Sequence, residues 1–377
     1  MFKNKINYYI SIPLTIFFII SIITLYSESM SFSSDNIITK QITWYTIGFF
    51  IILISTKINF KKTLDYSFLF YIISNILLLT LLFIGTEING SKCWFIIPGI
   101  GSFQPSEFVK LVLILINVKI FKHYDKKHPK RQLKDDIKLF LIIFLITLVP
   151  SILTFLQPDT GMVIIYFIIT LVMLFAYGIK KSIFIILILI ISLLMFIFLY
   201  FFFNYENEFI NIFGTSFFYR IDRLLDWSGK GGMQISNALA AIKAAGLFGF
   251  GIGNTPIYIP EGHTDFIFSV FASNFGFIGC VILIITILAF DLSLIILAKN
   301  SKDKTYKLII IGFLAMILYQ QVQNIGMNIG LLPITGITLP FISYGGSSLI
   351  SYMLGIAIIL NYGYTPGKVK KCIRPSK

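Results

Sequence analysis

About ten apolar runs, most of them close to the ~20 residues that an α-helix needs to span a bilayer, divide this chain of 377 residues. The runs cover residues 8–26, 40–56, 65–86, 106–121, 138–156, 160–178, 182–203, 266–290, 308–330 and 342–361. A hydrophobic fraction of 56% and a mean hydropathy of +0.86 are typical of a polytopic membrane protein. The sequence therefore predicts an all-α fold with ten transmembrane helices, in one integral membrane domain over residues 1–377.

Basic residues between the runs orient the predicted helices. With the N-terminus in the cytoplasm, 24 of the 31 Lys and Arg residues fall in cytoplasmic segments, 6 fall in outer segments and Lys110 lies in a span. This positive-inside pattern predicts that both termini are cytoplasmic. It also explains the net charge of +14 as an orientation signal that lies where anionic lipid headgroups are found. We expect no nucleic-acid partner, because the basic clusters occupy short loops without a recognition motif.

This topology leaves one large extracytoplasmic loop, at about residues 204–264 between helices 7 and 8. Long loops in compact architectures are usually functional. A helical piece with Ile235, Leu239 and Ile242 on one face either lies on the membrane surface or packs over the bundle, and sequence does not separate the two. The glycine-rich stretch at 249–254 follows no strand, which excludes a Rossmann phosphate site.

Three titratable residues, Glu261, His263 and Asp265, lie within five positions at the start of the eighth span. Ionisable groups beside a lipid-embedded segment are costly and indicate function. An Asp against apolar surface can have a raised pKa and act as a base near neutral pH. The alternative is a simple helix start, with Thr264 as N-cap and Asp265 in the first turn.

Two further outer clusters begin helices with Gln-Pro followed by an acid. In QPSEFVK the helix starts at the proline with Ser106 at or near the cap, and Glu107 and Lys110 share a helical face. A paired acid and base costs less than either alone near the membrane; the alternative is a purely structural ion pair. In QPDTG, Asp159 falls in the first turn of the next helix, where capping alone would also explain it.

The fourth cluster, NIGMNIGLLPITGITLPFISYGGSS, is an uncharged segment broken by glycine and proline between the last two spans. Irregular backbone at this depth must be buried in protein or line a wet cavity. We therefore expect it to wall a cavity, with Asn324, Ser343 and Tyr344 as polar liners. The alternative is a close helix-packing element made of small residues.

Taken together, QPSEFVK, QPDTG, IPEGHTDFIF and the broken segment resemble the SEDS family (shape, elongation, division and sporulation), in the same order along most of the chain. The resemblance implies a peptidoglycan glycosyltransferase in the bacterial cytoplasmic membrane, with its active site facing outward. Such proteins polymerise lipid II, release undecaprenyl pyrophosphate and work with a class B penicillin-binding protein, a transpeptidase.

The resemblance also assigns residues. The family's essential acid falls on Asp265, its early-loop tryptophan on Trp94, its acid and base pair on Glu107 and Lys110, and the acid of QPD.G on Asp159. There are two departures from the family. Cys93 stands where a basic residue usually precedes the tryptophan, and the stretch from 222 to 232 lacks the usual Asp-Pro.

Joining two sugars through a lipid pyrophosphate needs a base and a stabilised leaving group. Asp265 is the candidate base. Lys110, Arg220 and Lys243 are candidates to stabilise the pyrophosphate, and carboxylates could also hold Mg²⁺ or Mn²⁺. His263 and Glu261 complete the predicted substrate-binding set. Attack opposite the departing pyrophosphate predicts inversion at the sugar carbon.

Two other functions compete with this one. A flippase for lipid-linked sugars would also need a charged cavity, but the polar clusters lie on the outer side only and no inverted repeat is visible. A scaffold that recruits the transpeptidase gives no reason for Asp265. Between biological roles, NIGMNIGLLPITG favours elongation and GITLPF favours division or sporulation; elongation is the preferred prediction.

Overall fold

The computed structural model describes residues 2–32, 36–55, 60–88, 90–97, 101–215, 217–218, 221 and 232–364. The first half forms helices α1 (Phe2–Phe32), α2 (Ile37–Ser55), α3 (Phe60–Asp65) and α4 (Ser67–Ile84), strands β1 (Thr86–Ile88), β2 (Ser91–Ile97) and β3 (Gly101–Phe103), and helices α5 (Pro105–Lys127), α6 (Leu133–Phe155) and α7 (Thr160–Tyr177). The second half forms helices α8 (Lys181–Asn204), α9 (Glu206–Phe213), α10 (Met233–Ala244), α11 (Ile267–Asn300), α12 (Lys304–Asn328) and α13 (Gly346–Tyr364).

Each of the ten predicted spans falls on one of these helices. Eight helices in the described ranges are long and apolar enough to cross a membrane, judged by length and composition. Helices α5 and α13 are not among the eight, and the apolar part of α13 is Gly346–Asn361. The all-α, polytopic membrane class is confirmed, whereas the count of ten spans stays a prediction.

A small antiparallel sheet, with strand order β1-β2-β3, follows α4 and was not predicted. Trp94 on β2 pairs with Thr86 on β1, and Ile96 on β2 pairs with Ser102 on β3. The stretch Cys93–Ile97 is rich in aromatic and β-branched residues, which favour strands. The sheet lies beside α5, which β2 contacts.

Helix α12 is the central helix of the bundle and packs against α5, α7, α11 and α13. Gly312 permits this packing: a Cβ there would lie 2.8 Å from the sulfur of Met173 and 3.0 Å from a side-chain carbon of Ile114. Small residues at helix crossings let neighbouring backbones approach closely in membranes. Since α12 touches the helices that carry most candidate site residues, it fixes their relative positions.

Helix α11 bends at Gly276, where φ is 62° and ψ is −162°. Residues 246–251 fit against the bend, and the Phe250 N–H donates to the Ser273 carbonyl of α11 at 2.9 Å. A Cβ on Gly276 would lie 2.5 Å from backbone atoms of Leu247, so only glycine fits. The glycine-rich stretch is therefore a packing element, which agrees with its rejection as a phosphate motif.

Candidate active site

Asp265 lies in the loop just before α11. The N-cap of α11 is Phe266, and no side chain caps this helix. The Thr264 hydroxyl instead donates to the Glu261 carboxylate at 3.0 Å. The alternative that Thr264 caps the helix with Asp265 in its first turn is wrong, because the helix begins two residues beyond Asp265.

Two asparagines of α12, one helical turn apart, hold the Asp265 backbone. The Asn324 side-chain amide donates to the Asp265 carbonyl at 2.8 Å, and the Asn328 amide donates to the same oxygen at 2.9 Å. The Asn328 side-chain oxygen accepts from the backbone N–H of Ser269 at 3.0 Å and from its hydroxyl at 2.6 Å. The first turn of α11 and the base are thus positioned by the same side chain.

The segment between α12 and α13 (residues 329–345) holds the two preceding carbonyls. The Tyr344 N–H donates to the His263 carbonyl at 2.9 Å. The Ser343 hydroxyl donates to the Thr264 carbonyl at 2.6 Å. Three successive carbonyls before α11 are therefore fixed by protein donors. The Ser343 hydroxyl and the Asn324 amide are used in this positioning, and the Tyr344 ring stays half-buried, 5.9 Å from the His263 ring.

The Asp265 carboxylate is half-buried, and no side chain or backbone N–H of the described residues makes a hydrogen bond to it. Its pKa is raised to about 7, mainly by burial and additionally by the charges of Glu261 and Asp159. A carboxylate with this pKa is partly ionised at neutral pH and is a stronger base than an ordinary Asp. The predicted base thus has the electrostatics that its role requires.

Glu261 and His263 flank this loop. Glu261 has a φ of 56°, in the left-handed region that non-glycine residues seldom adopt. Such strain is found at functional sites more often than elsewhere. The half-buried His263 places Nδ1 3.8 Å from a carboxylate oxygen of Glu28, a buried acid on α1. Helix α1 therefore contributes an acid that sequence reasoning did not identify.

Glu107 and Lys110 form the predicted ion pair on α5. Their charged atoms are 2.6 Å apart, and their side chains are 3% and 0% exposed. The Lys110 ammonium also lies 5.1 Å from the centre of the Tyr352 ring on α13. Because Lys110 is fully enclosed, its charge is balanced by Glu107 within the protein.

Asp159 is the N-cap of α7, one position before the predicted first turn. One of its oxygens accepts from the Met162 N–H at 3.3 Å, and the other accepts from the Gln104 side chain at 3.0 Å. Its pKa is raised to about 6, mainly by burial; the Met162 N–H and the Lys110 charge lower the pKa, and the Glu107 charge raises it. Capping is thus one role of Asp159, and its charge also links the ion pair to Asp265.

Residues 329–345 also connect the two acids in space. A Cβ on Gly161, in the first turn of α7, would lie 2.7 Å from the Thr335 carbonyl. A Cβ on the next residue of the segment, Gly336, would lie 3.7 Å from the Asp265 carboxylate. The broken segment therefore passes from the start of α7 to Asp265, and its role as the wall of a cavity stays a prediction.

Trp94, Lys243 and Arg220 are the remaining candidates. Trp94 is half-buried on β2, and its neighbour Cys93 is buried with its thiol donating to the Gln157 carbonyl at 3.2 Å. Lys243 is exposed near the end of α10 and makes no ion pair with a described residue. Arg220 lies outside the described residues.

Helix α10 itself packs onto the protein. It buries Ile235, Ala238 and Ala241 in a cluster with Phe266 and Val270. This outcome is the bundle-packing alternative: Ile235 of the predicted face is buried, Leu239 packs against the same cluster, and the two alanines extend the buried face. Helix α10 therefore covers the start of α11 next to Asp265.

The part of the chain that the structure describes contains no group of three or more His, Cys, Asp or Glu residues arranged to hold a metal ion. A cation here would need oxygen ligands from a substrate as well. Such mixed coordination is usual for Mg²⁺, which is bound through one or two carboxylates together with substrate phosphates.

Sequence reasoning missed Gln104, Asn328 and Glu28. Gln104 precedes the proline in a motif that was quoted for its later residues, and Asn328 follows Asn324 at the spacing of one helical turn. Both signals were therefore present in the sequence. Glu28 carried none, because it is brought to His263 only by the packing of α1 against α11.

Comparison with known proteins agrees with this architecture. The sequence profile of the FtsW, RodA and SpoVE family, described as "Cell cycle protein", matches residues 5–365. The probable peptidoglycan glycosyltransferase FtsW of Wigglesworthia glossinidia brevipalpis is 33% identical over 381 residues, covering 95% of this chain and 93% of that protein. Stage V sporulation protein E of Bacillus subtilis is 30% identical over 345 residues, covering 85% of each.

Two solved structures support the fold. RodA of Thermus thermophilus aligns with a TM-score of 0.65 at 24% identity, over 94% of this chain and 95% of that one. A chain of a peptidoglycan synthase complex aligns with a TM-score of 0.77 at 23% identity, over 98% of both. The profile match and the relatives at 30% identity or more establish that this polytopic membrane protein belongs to the FtsW/RodA/SpoVE family, the SEDS proteins.

Proposed function

We propose that this protein is an inverting peptidoglycan glycosyltransferase that polymerises lipid II and releases undecaprenyl pyrophosphate. The glycosyltransferase names of its relatives support this enzyme class. The observation that carries the proposal is Asp265: a half-buried carboxylate with a pKa raised to about 7, on a backbone that Asn324 and Asn328 hold in place.

In the proposed reaction the Asp265 carboxylate takes the proton of the acceptor sugar hydroxyl. The freed oxygen attacks the anomeric carbon of the donor, and the bond from that carbon to the pyrophosphate oxygen breaks. A single displacement inverts the configuration at the carbon. Positioning of the base contributes because small displacements of reacting groups are costly to the rate.

The leaving pyrophosphate needs positive charge, and Lys110 is enclosed with Glu107. Arg220 and Lys243 therefore stay the proposed basic contacts. Asp159 and Glu261, whose charges act on Asp265, could share a Mg²⁺ or Mn²⁺ ion with the pyrophosphate, and such an ion would neutralise the developing charge. Loss of polymerisation on adding EDTA, with recovery on adding Mg²⁺ or Mn²⁺, tests this part; unchanged activity contradicts it.

The cellular setting is part of the proposal. The site faces outward from the bacterial cytoplasmic membrane, and the partner is a class B penicillin-binding protein that cross-links the new strands. The relatives named FtsW and stage V sporulation protein E support division or sporulation over elongation. Depletion should then block septa or spores; rounding of rod-shaped cells would instead support elongation.

The central experiment compares Asp265→Asn with wild type in polymerisation of purified lipid II. Asn keeps the shape and much of the hydrogen bonding but accepts no proton at neutral pH. Removing a general base typically costs about 10²–10⁴-fold, so no polymer should appear on a gel. The matched control is Asp303→Asn at the N-cap of α12, at the end of this helix away from Asn324 and Asn328. Because Asn caps a helix as well as Asp, this variant should keep its activity.

Near wild-type polymerisation by Asp265→Asn would refute the assignment of the base. The rival flippase function is measured in parallel, as exchange of the same lipid between the leaflets of vesicles. Exchange without polymerisation by the wild-type protein would replace the proposed function.

A further inference from the structure

A cavity lies at the opposite end of the bundle from Asp265. Its volume is about 230 Å³, and it opens between the last turns of α5 and the first turns of α12. The opposite ends of these two helices carry candidate site residues, Glu107 at the start of α5 and Asn328 at the end of α12. By the distribution of basic residues, this end faces the cytoplasm.

The floor of the cavity is apolar. Val118, Phe121 and Leu308 line it, and each of these side chains is buried. An apolar floor at the end of membrane helices suits an acyl chain or glycerol backbone better than a soluble anion. The cavity is partly open, so that a ligand can enter from the side of the membrane surface.

The rim of the cavity is cationic. Lys122, Lys126 and Lys304 line it, together with one acid, Asp125. Lys304 pairs with Asp125 at 2.9 Å, and the Tyr177 hydroxyl donates to the other Asp125 oxygen at 2.5 Å. Lys122 and Lys126 make no ion pair with any residue that the structure describes. The rim therefore presents two cations beyond those balanced within the protein.

We propose that this cavity binds the phosphate headgroup of an anionic phospholipid from the cytoplasmic leaflet. Lys122 and Lys126 contact the phosphate, and the apolar floor takes the first carbons of the lipid. Basic pockets between transmembrane helices on the cytoplasmic side have this chemistry. The proposal does not depend on the reaction at Asp265.

Bound lipid would brace the two helices that carry the active site. Helix α5 ends at one side of the cavity and begins with the Glu107–Lys110 pair. Helix α12 begins at the other side and ends with the asparagines that hold Asp265. A ligand that binds the folded protein stabilises it by mass action, which gives a readout independent of catalysis.

The test titrates the purified full-length protein in neutral detergent with short-chain phosphatidylglycerol and measures the bound fraction by native mass spectrometry. Short-chain phosphatidylcholine and glycerol 3-phosphate are the comparison ligands. The Lys122→Gln, Lys126→Gln double variant removes the two unpaired rim cations. The Lys127→Gln, Lys130→Gln double variant is the matched control, with the same charge loss at exposed positions near the end of α5 that do not line the cavity.

Wild type should bind phosphatidylglycerol in preference to both comparison ligands. The cavity variant should bind it about thirtyfold more weakly, at about 1 kcal/mol for each lysine, and the control should bind it as wild type does. Equal binding by wild type and the cavity variant would overturn the site. Equal weakening of binding in both variants would show that only general surface charge attracts the lipid. Binding of glycerol 3-phosphate as tight as that of phosphatidylglycerol would show a site for free phosphate. Either result rejects the lipid proposal.

Discussion

Replacing Asn328 by Leu tests whether the backbone of the proposed base must be held in place. Leu has the same number of side-chain heavy atoms and the same branching but no polar atoms, so the change removes every hydrogen bond of this side chain. Asp265 would keep one amide on its carbonyl, from Asn324. The first turn of α11 would lose the acceptor of both Ser269 donors.

The cost follows from the orphaned hydroxyl. Ser269 is fully buried, so its hydroxyl would lack a partner in the absence of water, whereas its N–H keeps the Phe266 carbonyl at 3.1 Å. A buried unsatisfied donor costs about 1–3 kcal/mol, and we expect Asn328→Leu to destabilise the protein by about that amount. Adding Ser269→Ala removes the orphaned hydroxyl and should recover part of the loss, but should not restore activity.

The assay measures thermal unfolding in detergent and polymerisation of lipid II on the same samples. Thr147→Val provides a control for stability alone, because Thr147 is buried in the bundle and bonds to Thr170 at 2.8 Å, between α6 and α7. We expect Thr147→Val to lower stability with little change in kcat. Asn328→Leu should lower kcat by about 10²-fold, the typical effect of a displacement near 1 Å. If kcat per folded molecule is unchanged in Asn328→Leu, the positioning role is refuted.

Three further predictions concern charge and topology. Lys110→Ala should destabilise the protein by about 3–5 kcal/mol and abolish polymerisation, because Glu107 is left buried without its cation. Exchanging Glu107 and Lys110 should restore neither stability nor polymerisation. Full activity in Lys110→Ala would contradict the role of the pair in the reaction. Because the pKa of Asp265 is raised from 3.8 to about 7, the folded state holds a proton that the unfolded state releases in this range. The contribution of Asp265 to stability should therefore fall as the pH rises from about 4 to 7 and level off above, and polymerisation should rise towards pH 7. Asp265→Asn should lose this contribution and keep that of Asp159, whose pKa is also raised. A pH-independent difference in stability between the two proteins would argue against the raised pKa of Asp265. In a cysteine-free background, Lys243→Cys should react with an impermeant reagent in intact spheroplasts and Lys130→Cys should not; the reverse labelling would overturn the topology.

Features that depend on local sequence patterns were predicted correctly. Each apolar run became a helix, and the spacing of Glu107 and Lys110 gave their ion pair, because both signals depend only on helix periodicity. The QPDT turn between α6 and α7 was also predicted, since proline and a capping acid define it locally. These features need no knowledge of distant parts of the chain.

Features that depend on tertiary contacts were not predicted. Thr264 and Asp265 look like a helix start, yet the helix begins later because their carbonyls are taken by residues 329–345 and by α12. Lys110 looked available for a phosphate, but packing of α5 against α13 encloses it. In each case a distant segment changed the role of a residue that local sequence had identified.

The three fixed carbonyls before α11 have a consequence for the entropy of the reaction. Fixing the backbone of one residue costs about 1–2 kcal/mol of conformational entropy at 25 °C. For residues 263–265, hydrogen bonds from residues 329–345 and from α12 order the backbone when the chain folds, so this entropy is lost once. The rotations left to the proposed base are those of the short Asp265 side chain, so each turnover would begin with this backbone already ordered.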